Sequence, residues 1–284
     1  MFQWKKQIWF LSWELIATSS LLALSWIAPT SAQQRRVDLH NVNGDVRFYS
    51  PSRIGGGGWS DRIQATDEFL LSGEWLRTRG SKSGARLYLR PRGTGYWQGI
   101  NTTSQFAPRE KCQFLLAEGK IIYIRNSRSP VPGCDTITKR TRIRSPGTAL
   151  FVIEDAQGTT VGVLTNSSEG PVTVTGLRSG ETGETVELRA GQLASVSIDG
   201  EVRLLGEFSL RDFYRNNRLA LGLGPGAEHE DFVNRQDDDI REVIIPVREE
   251  TLEALREQEE QRPLDDELLT PPDLEFPVPG RRIF

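Results

Sequence analysis

Six arginines offer the clearest chemistry in this chain. Arg86, Arg90 and Arg92 lie on or beside one predicted strand, and Arg140, Arg142 and Arg144 occupy alternate positions. Alternate residues of a strand share a face, so the second trio forms a cationic stripe suited to carboxylate or phosphate. The competing reading is a charged strand face turned to water. A second set is Trp59, Trp75, Tyr96 and Trp97 with Glu68 and Glu74, which could stack a sugar and supply an acid. It lacks a recognisable acid–base pair, and aromatic residues on strands more often build a core. The two histidines, His40 and His229, sit in no nucleophile motif and far from the cysteines. No CxxC spacing suits zinc. The expectation is therefore no catalytic residue, no metal and no cofactor.

The compartment follows from the ends and the cysteines. Lys5 and Lys6 precede an uncharged apolar run from Leu15 to Ile27, and Thr30-Ser31-Ala32 follows. This is the order of an export signal cut between Ala32 and Gln33. The alternative is an uncleaved anchor, but Glu14 interrupts the longer run, and what remains is shorter than the ~20 residues a span needs. An exported chain meets an oxidising environment, so Cys112 and Cys134, the only cysteines, are expected to pair. The expected location is periplasmic or extracellular, with no stable membrane span after cleavage.

The elements that must carry these residues read as β structure. Gly84–Leu89 alternates Ala85, Leu87 and Leu89 with Arg86, Tyr88 and Arg90. Val37–Val46 suggests strand, turn, strand around Asn43-Gly44-Asp45. Ala149–Ile153 is a continuous apolar run, as in a strand buried on both sides. Thr141–Val202 as a whole reads as a meander. After Leu205 the period changes. Ser209–Leu221 predicts a helix with Ser209 as N-cap, a Phe208–Phe213 staple and a Gly222 stop. Gly222–Gly226 reads as a linker and Glu249–Gln261 as a marginal solvated helix. Arg262–Phe284, rich in proline, reads as extended or disordered. The expected fold is all-β: an antiparallel β-sandwich or jelly-roll-like domain, then a short helix and an acidic tail, partly helical or disordered. The expected boundaries are 1–32 signal, 33–206 β domain, 207–226 helix and linker, and 227–284 tail.

Charge divides along the same line. The chain has a net charge of −3, but Gln33–Ala227 carries +7 and Glu228–Phe284 carries −11. The tail could fold back and mask a basic body.

Several ordered pieces resemble the extracytoplasmic FecR-type domain. Val42-Asn43-Gly44-Asp45-Val46 is similar to its opening strand pair. Leu71-Ser72-Gly73-Glu74-Trp75-Leu76-Arg77-Thr78 is similar to a signature segment in which Glu74 replaces the usual Asp. Leu116–Ile121, Gly147–Val152 and Val186–Ala194 fit later pieces, although the arginine expected before Gly147-Thr148 is absent. The resemblance covers about 160 residues and implies a β-sandwich outside the cytoplasm that, in the family's best-known setting, senses an outer-membrane transporter and signals through a membrane span to a sigma-factor regulator. No cytoplasmic regulatory segment precedes the apolar run here, so the module is what carries over. The resulting expectation is a non-catalytic binding, sensing or scaffold module of the bacterial envelope, with an envelope protein or acidic glycan as partner and no nucleic acid. The alternative is a polyanion-binding protein for acidic glycans or lipid headgroups, and a wall-polysaccharide enzyme ranks below both.

Overall fold

Two of the three strands long enough to pass through both layers of a sandwich organise the fold. They are β3 (Trp75–Leu89) and β6 (Cys112–Arg125). In the computed structural model the described residues are 36–49, 58–60, 62–63, 69–71, 73–89, 93–108, 112–129, 133–178, 181–261 and 268–274. They lie within one compact unit, Arg36–Phe284. The signal-cleavage residues Ala32 and Gln33 and the arginines Arg90 and Arg92 fall outside them.

The other strands are β1 (Arg36–Tyr49), β2 (Phe69–Leu71), β4 (Thr94–Gln98), β5 (Thr103–Pro108), β7 (Asp135–Ile137) and β8 (Thr141–Arg144). They continue with β9 (Leu150–Glu154), β10 (Gly158–Val163), β11 (Val172–Arg178), β12 (Glu181–Leu188), β13 (Gln192–Ser197) and β14 (Val202–Glu207). The first layer runs β12-β11-β8-β7, then the first half of β6, β5, and the first half of β3 paired with the second half of β1. The second layer takes the remaining halves of β1, β3 and β6 and adds β2, β4, β9, β10, β13 and β14. Every pairing is antiparallel except β6–β7. The Cys112–Cys134 disulfide, buried within the sandwich, sits at the start of both strands of that parallel pair.

The core between the layers comes from alternate residues such as Leu76, Leu87, Tyr96, Phe114, Ile121, Tyr123, Val152 and Val174. The all-β sandwich expected from the sequence is present. One expected turn is not: Asn43-Gly44-Asp45 lies inside the single strand β1. Asn41 and Gly44 take positive φ values of 49° and 74°, and the register with β3 shifts there. The turn residues make bulges in a long pairing rather than a hairpin.

The second layer is also buried on its outer face. Tyr88, Trp97, Ile122, Ile124, Phe151 and Leu193 point away from the sandwich core into a second core shared with helices. These are α1 (Leu210–Asn216), α2 (Ala227–Asn234) and α3 (Asp238–Gln261), with a 3-10 turn at Arg218–Ala220. Ser209 caps α1, accepting from the Asp212 amide, and the Phe208 and Phe213 rings lie 5.9 Å apart. Helix α3 buries Ile240, Val243, Ile244, Val247, Thr251, Ala254 and Leu255, a stripe at helical spacing. The apolar half of that stripe precedes Glu249, which is why the segment from Glu249 onward suggested a solvated helix. Gly222–Gly226 is a packed loop, not a linker. The amides of Gly222 and Gly224 both donate to His229 Nδ1, and Thr251 Oγ1 donates to the Leu223 carbonyl at 2.5 Å. Residues 268–274 run from Phe208, which bridges to Leu269, to Asn217 and Lys120, with Leu274 fully buried. The described part of the acidic segment is thus a third layer seated on the second sheet, held by apolar contacts, and none of its described residues packs on the first sheet's outer face.

Candidate functional site

The structure separates the candidate arginines. Arg86 is 1% exposed and belongs to no surface. Its position on the outer side of β3 was read correctly, but that side is roofed by helices. The guanidinium lies 4.3 Å from the Trp97 ring and 3.9 Å from the Phe232 ring and donates to the Leu221 carbonyl at 3.0 Å. Burial lowers its pKa to about 10. Arg140 is also occupied: it pairs at 2.5 Å with Glu154, whose side chain is 2% exposed and which also accepts from Thr159 Oγ1. Its task is to neutralise a buried carboxylate. Arg142 and Arg144 alone of the trio project into solvent from β8. Arg144 stands 3.8 Å from Asp135, and Arg142 has no ion-pair partner among the described residues.

Strand register brings other residues beside them. On the outer face of the first layer Arg142 lies opposite Ile137, Ile137 opposite Leu115, and Leu115 opposite Gln105. The row continues from Gln105 to Trp75 and from Trp75 to Tyr49. Trp59 bridges to Tyr49, their ring centroids 5.8 Å apart. The residues from Trp59 to Ile137 are half-buried, which suits a flat sheet face on which side chains shield each other. A second row places Arg47 opposite Arg77. The Arg77 guanidinium lies 3.9 Å from the Trp59 ring and has no carboxylate partner among the described residues. Its pKa is lowered, first by burial and then by the like charges of Arg79 and Arg47. No described helix packs on this face.

The sugar-stacking set divides in the same way. Trp59 and Trp75 are on the open face. Tyr96 is in the sandwich core, stacked on Phe114 at 3.8 Å, and Trp97 is under the helices. Glu74 is 2% exposed and points between the layers, so it cannot serve as an acid beside Trp75. Glu68 lies outside the described residues. Among the described residues no group of three or more His, Cys, Asp or Glu could hold a metal ion, and no helix is long and apolar enough to cross a membrane.

A surface cavity of about 360 Å³ between α1 and the start of α2 also carries arginines. They are spoken for: Arg211 pairs with Glu259 at 2.5 Å, Arg215 with Asp212 at 3.4 Å and Arg218 with Glu228 at 3.9 Å. The first layer's outer face is therefore the candidate site. Sequence reasoning found Arg142, Arg144, Trp59 and Trp75 but missed Tyr49, Arg77, Leu115 and Ile137. Only the register joins them, and nothing local in the chain encodes a pairing between residues so far apart.

No family model matches the chain, and no curated protein matches it in sequence. The FecR-type resemblance therefore rests on the residues quoted above. Two crystal structures of an anti-sigma factor candidate from Parabacteroides distasonis are similar in part. One has 14% identity and a TM-score of 0.36, covering 47% of this chain and 59% of that one. The other has 13% identity and a TM-score of 0.38, covering 50% and 64%. The chain thus spans less than two thirds of either, and likenesses this low establish neither fold nor function.

Proposed function

We propose that this chain is a non-catalytic binding module of the cell envelope that engages its partner through the outer face of the first sheet. One observation carries the reading: helices seal one side of the sandwich, no described helix covers the other, and that open side holds Arg77 and Arg142, without ion-pair partners among the described residues, beside a row of aromatic and aliphatic side chains. Such a face exposes cationic and apolar groups that a ligand could cover. The leader-like start and the paired cysteines favour a location outside the cytoplasm, and the FecR-type resemblance is in keeping with it.

A photo-crosslinking residue at Thr175, next to Arg142 on the open face, should form adducts in intact cells. The same residue at Glu253, exposed on α3, should form few. Equal labelling from both positions, or none from Thr175, would remove the open face as the binding surface. Spheroplast fractionation of the same cells reports the compartment, and recovery with cytoplasmic proteins would end the envelope reading.

A further inference from the structure

We propose that the partner of the open face is a linear acidic glycan, its sugar rings lying along the Trp59–Tyr49–Trp75 end and its carboxylates meeting Arg77 and Arg142. The inference rests on the open face being the binding surface and goes beyond it by naming the ligand class. Three features point to a glycan polymer. The row from Tyr49 to Arg142 crosses β1, β3, β5, β6, β7 and β8, roughly 24 Å at about 4.8 Å per strand. That is the footprint of an extended chain, not of one small molecule. The row is half-buried from Tyr49 to Ile137, with aromatic rings at one end and Leu115 and Ile137 further along, surfaces that take the apolar face of a pyranose.

The third feature is charge. Arg77 and Arg142 lack carboxylate partners among the described residues, and each offers a fork that a carboxylate meets bidentately. Arg47 and Arg79 add charge next to Arg77, offset in part by Asp45, which pairs with Arg47 at 2.8 Å, and by Glu118, which lies across Thr103 from Arg77 on the same face. Glu187 and Asp135 lie at the β8 end of the face and would face a polyanion unfavourably there, Asp135 being 3.8 Å from Arg144. The arginine-rich end near β1 and β3 is therefore the anchor. The acid-rich segment Glu228–Gln261, with 13 acidic against 4 basic residues, sits on the opposite side of the second sheet, so its excess negative charge is kept away from this face.

The test uses the full chain and polygalacturonate, with three comparison ligands. Fully methyl-esterified polygalacturonate keeps the rings without the charge, polyphosphate keeps the charge without the rings, and phosphatidylglycerol vesicles present anionic lipid. Polygalacturonate should bind, more weakly as salt rises, and at least tenfold more tightly than the ester or polyphosphate. Trp75→Ala should weaken it about tenfold, and Arg142→Gln, a change at an exposed strand position, by about the same factor. Glu253→Ala on α3 should not change it. Equal binding of polyphosphate, with no effect of Trp75→Ala, would make the face a bare charge sink. Preference for vesicles would assign it to lipid. Absence of polygalacturonate binding would overturn the glycan proposal. If crosslinks from Thr175 nevertheless form in cells, the open-face reading stands and only the ligand class fails.

Discussion

Tyr88, Tyr96, Tyr123 and Tyr214 are buried, four of the five tyrosines of the chain. Burial raises the pKa of Tyr88, Tyr123 and Tyr214, that of Tyr123 to about 12. A group whose folded pKa is raised contributes stability that is complete below its unfolded value near 10 and is lost as pH climbs through the folded value. Stability should therefore fall steeply between about pH 10 and 12. Arg86, lowered to about 10, works the other way in this range, one group against three. Absorbance titration near 295 nm should show Tyr88, Tyr123 and Tyr214 ionising only as the protein unfolds, and Tyr123→Phe should flatten the loss. Free titration of all five in the folded protein would show that the described burial is wrong. Arg86 also shows what residue-level reading leaves out. Its alternation with Leu87 was legible, but alternation names a side and not what covers it.

At the scale of elements, the helical layer depends on a short loop. Gly222 φ is 106° and Gly226 φ is 97°, conformations that glycine adopts without a side-chain clash. Their turn is fastened by the two amides on His229 Nδ1, which requires the unprotonated nitrogen. Burial is the main cause of the lowered His229 pKa. For a base lowered in the folded state, the unfolded chain takes up the proton first, so stability falls as pH drops below about 6.5. Denaturant midpoints at pH 7.5 and 5.5 should show that loss in the native sequence. His229→Ala should cost about 1–3 kcal/mol at pH 7.5, because two buried donors lose their acceptor, and should abolish most of the pH difference. An unchanged pH difference in His229→Ala would remove His229 from the account.

The same element explains why the layer was hard to read in the sequence. Composition marks residues 228–284 as a solvated acidic tail, and Pro246 breaks the helical pattern inside α3. The stripe from Ile240 to Leu255 is apolar enough to bury, yet its partner surface, Trp97, Ile122 and Phe151, lies more than a hundred residues earlier in places. By contrast, Ala149–Ile153 announced burial on both sides by itself, because two apolar faces leave no polar residue in the run. The N-cap, the staple and the disulfide were legible for a related reason: each is specified by few residues in known chemistry. The open face was not, since it exists only when six strands are in register.

For the whole molecule, the consequence is a sandwich with two unlike sides. Removing residues 227–261 would take Phe232 off the buried Arg86 and strip the Ile240–Leu255 stripe from the second sheet, and no described residue of that segment lies on the first sheet's outer face. The sealed side supports the fold, and the open side is the one proposed to meet a partner. Hydroxyl-radical footprinting of the full chain, with and without polygalacturonate, tests that division most directly. The account predicts that Trp75 is oxidised in the free protein and protected when the polymer is added, while Trp97 stays unoxidised in both. Oxidation of Trp97 to the same extent as Trp75, or a Trp75 signal indifferent to the polymer, would contradict it.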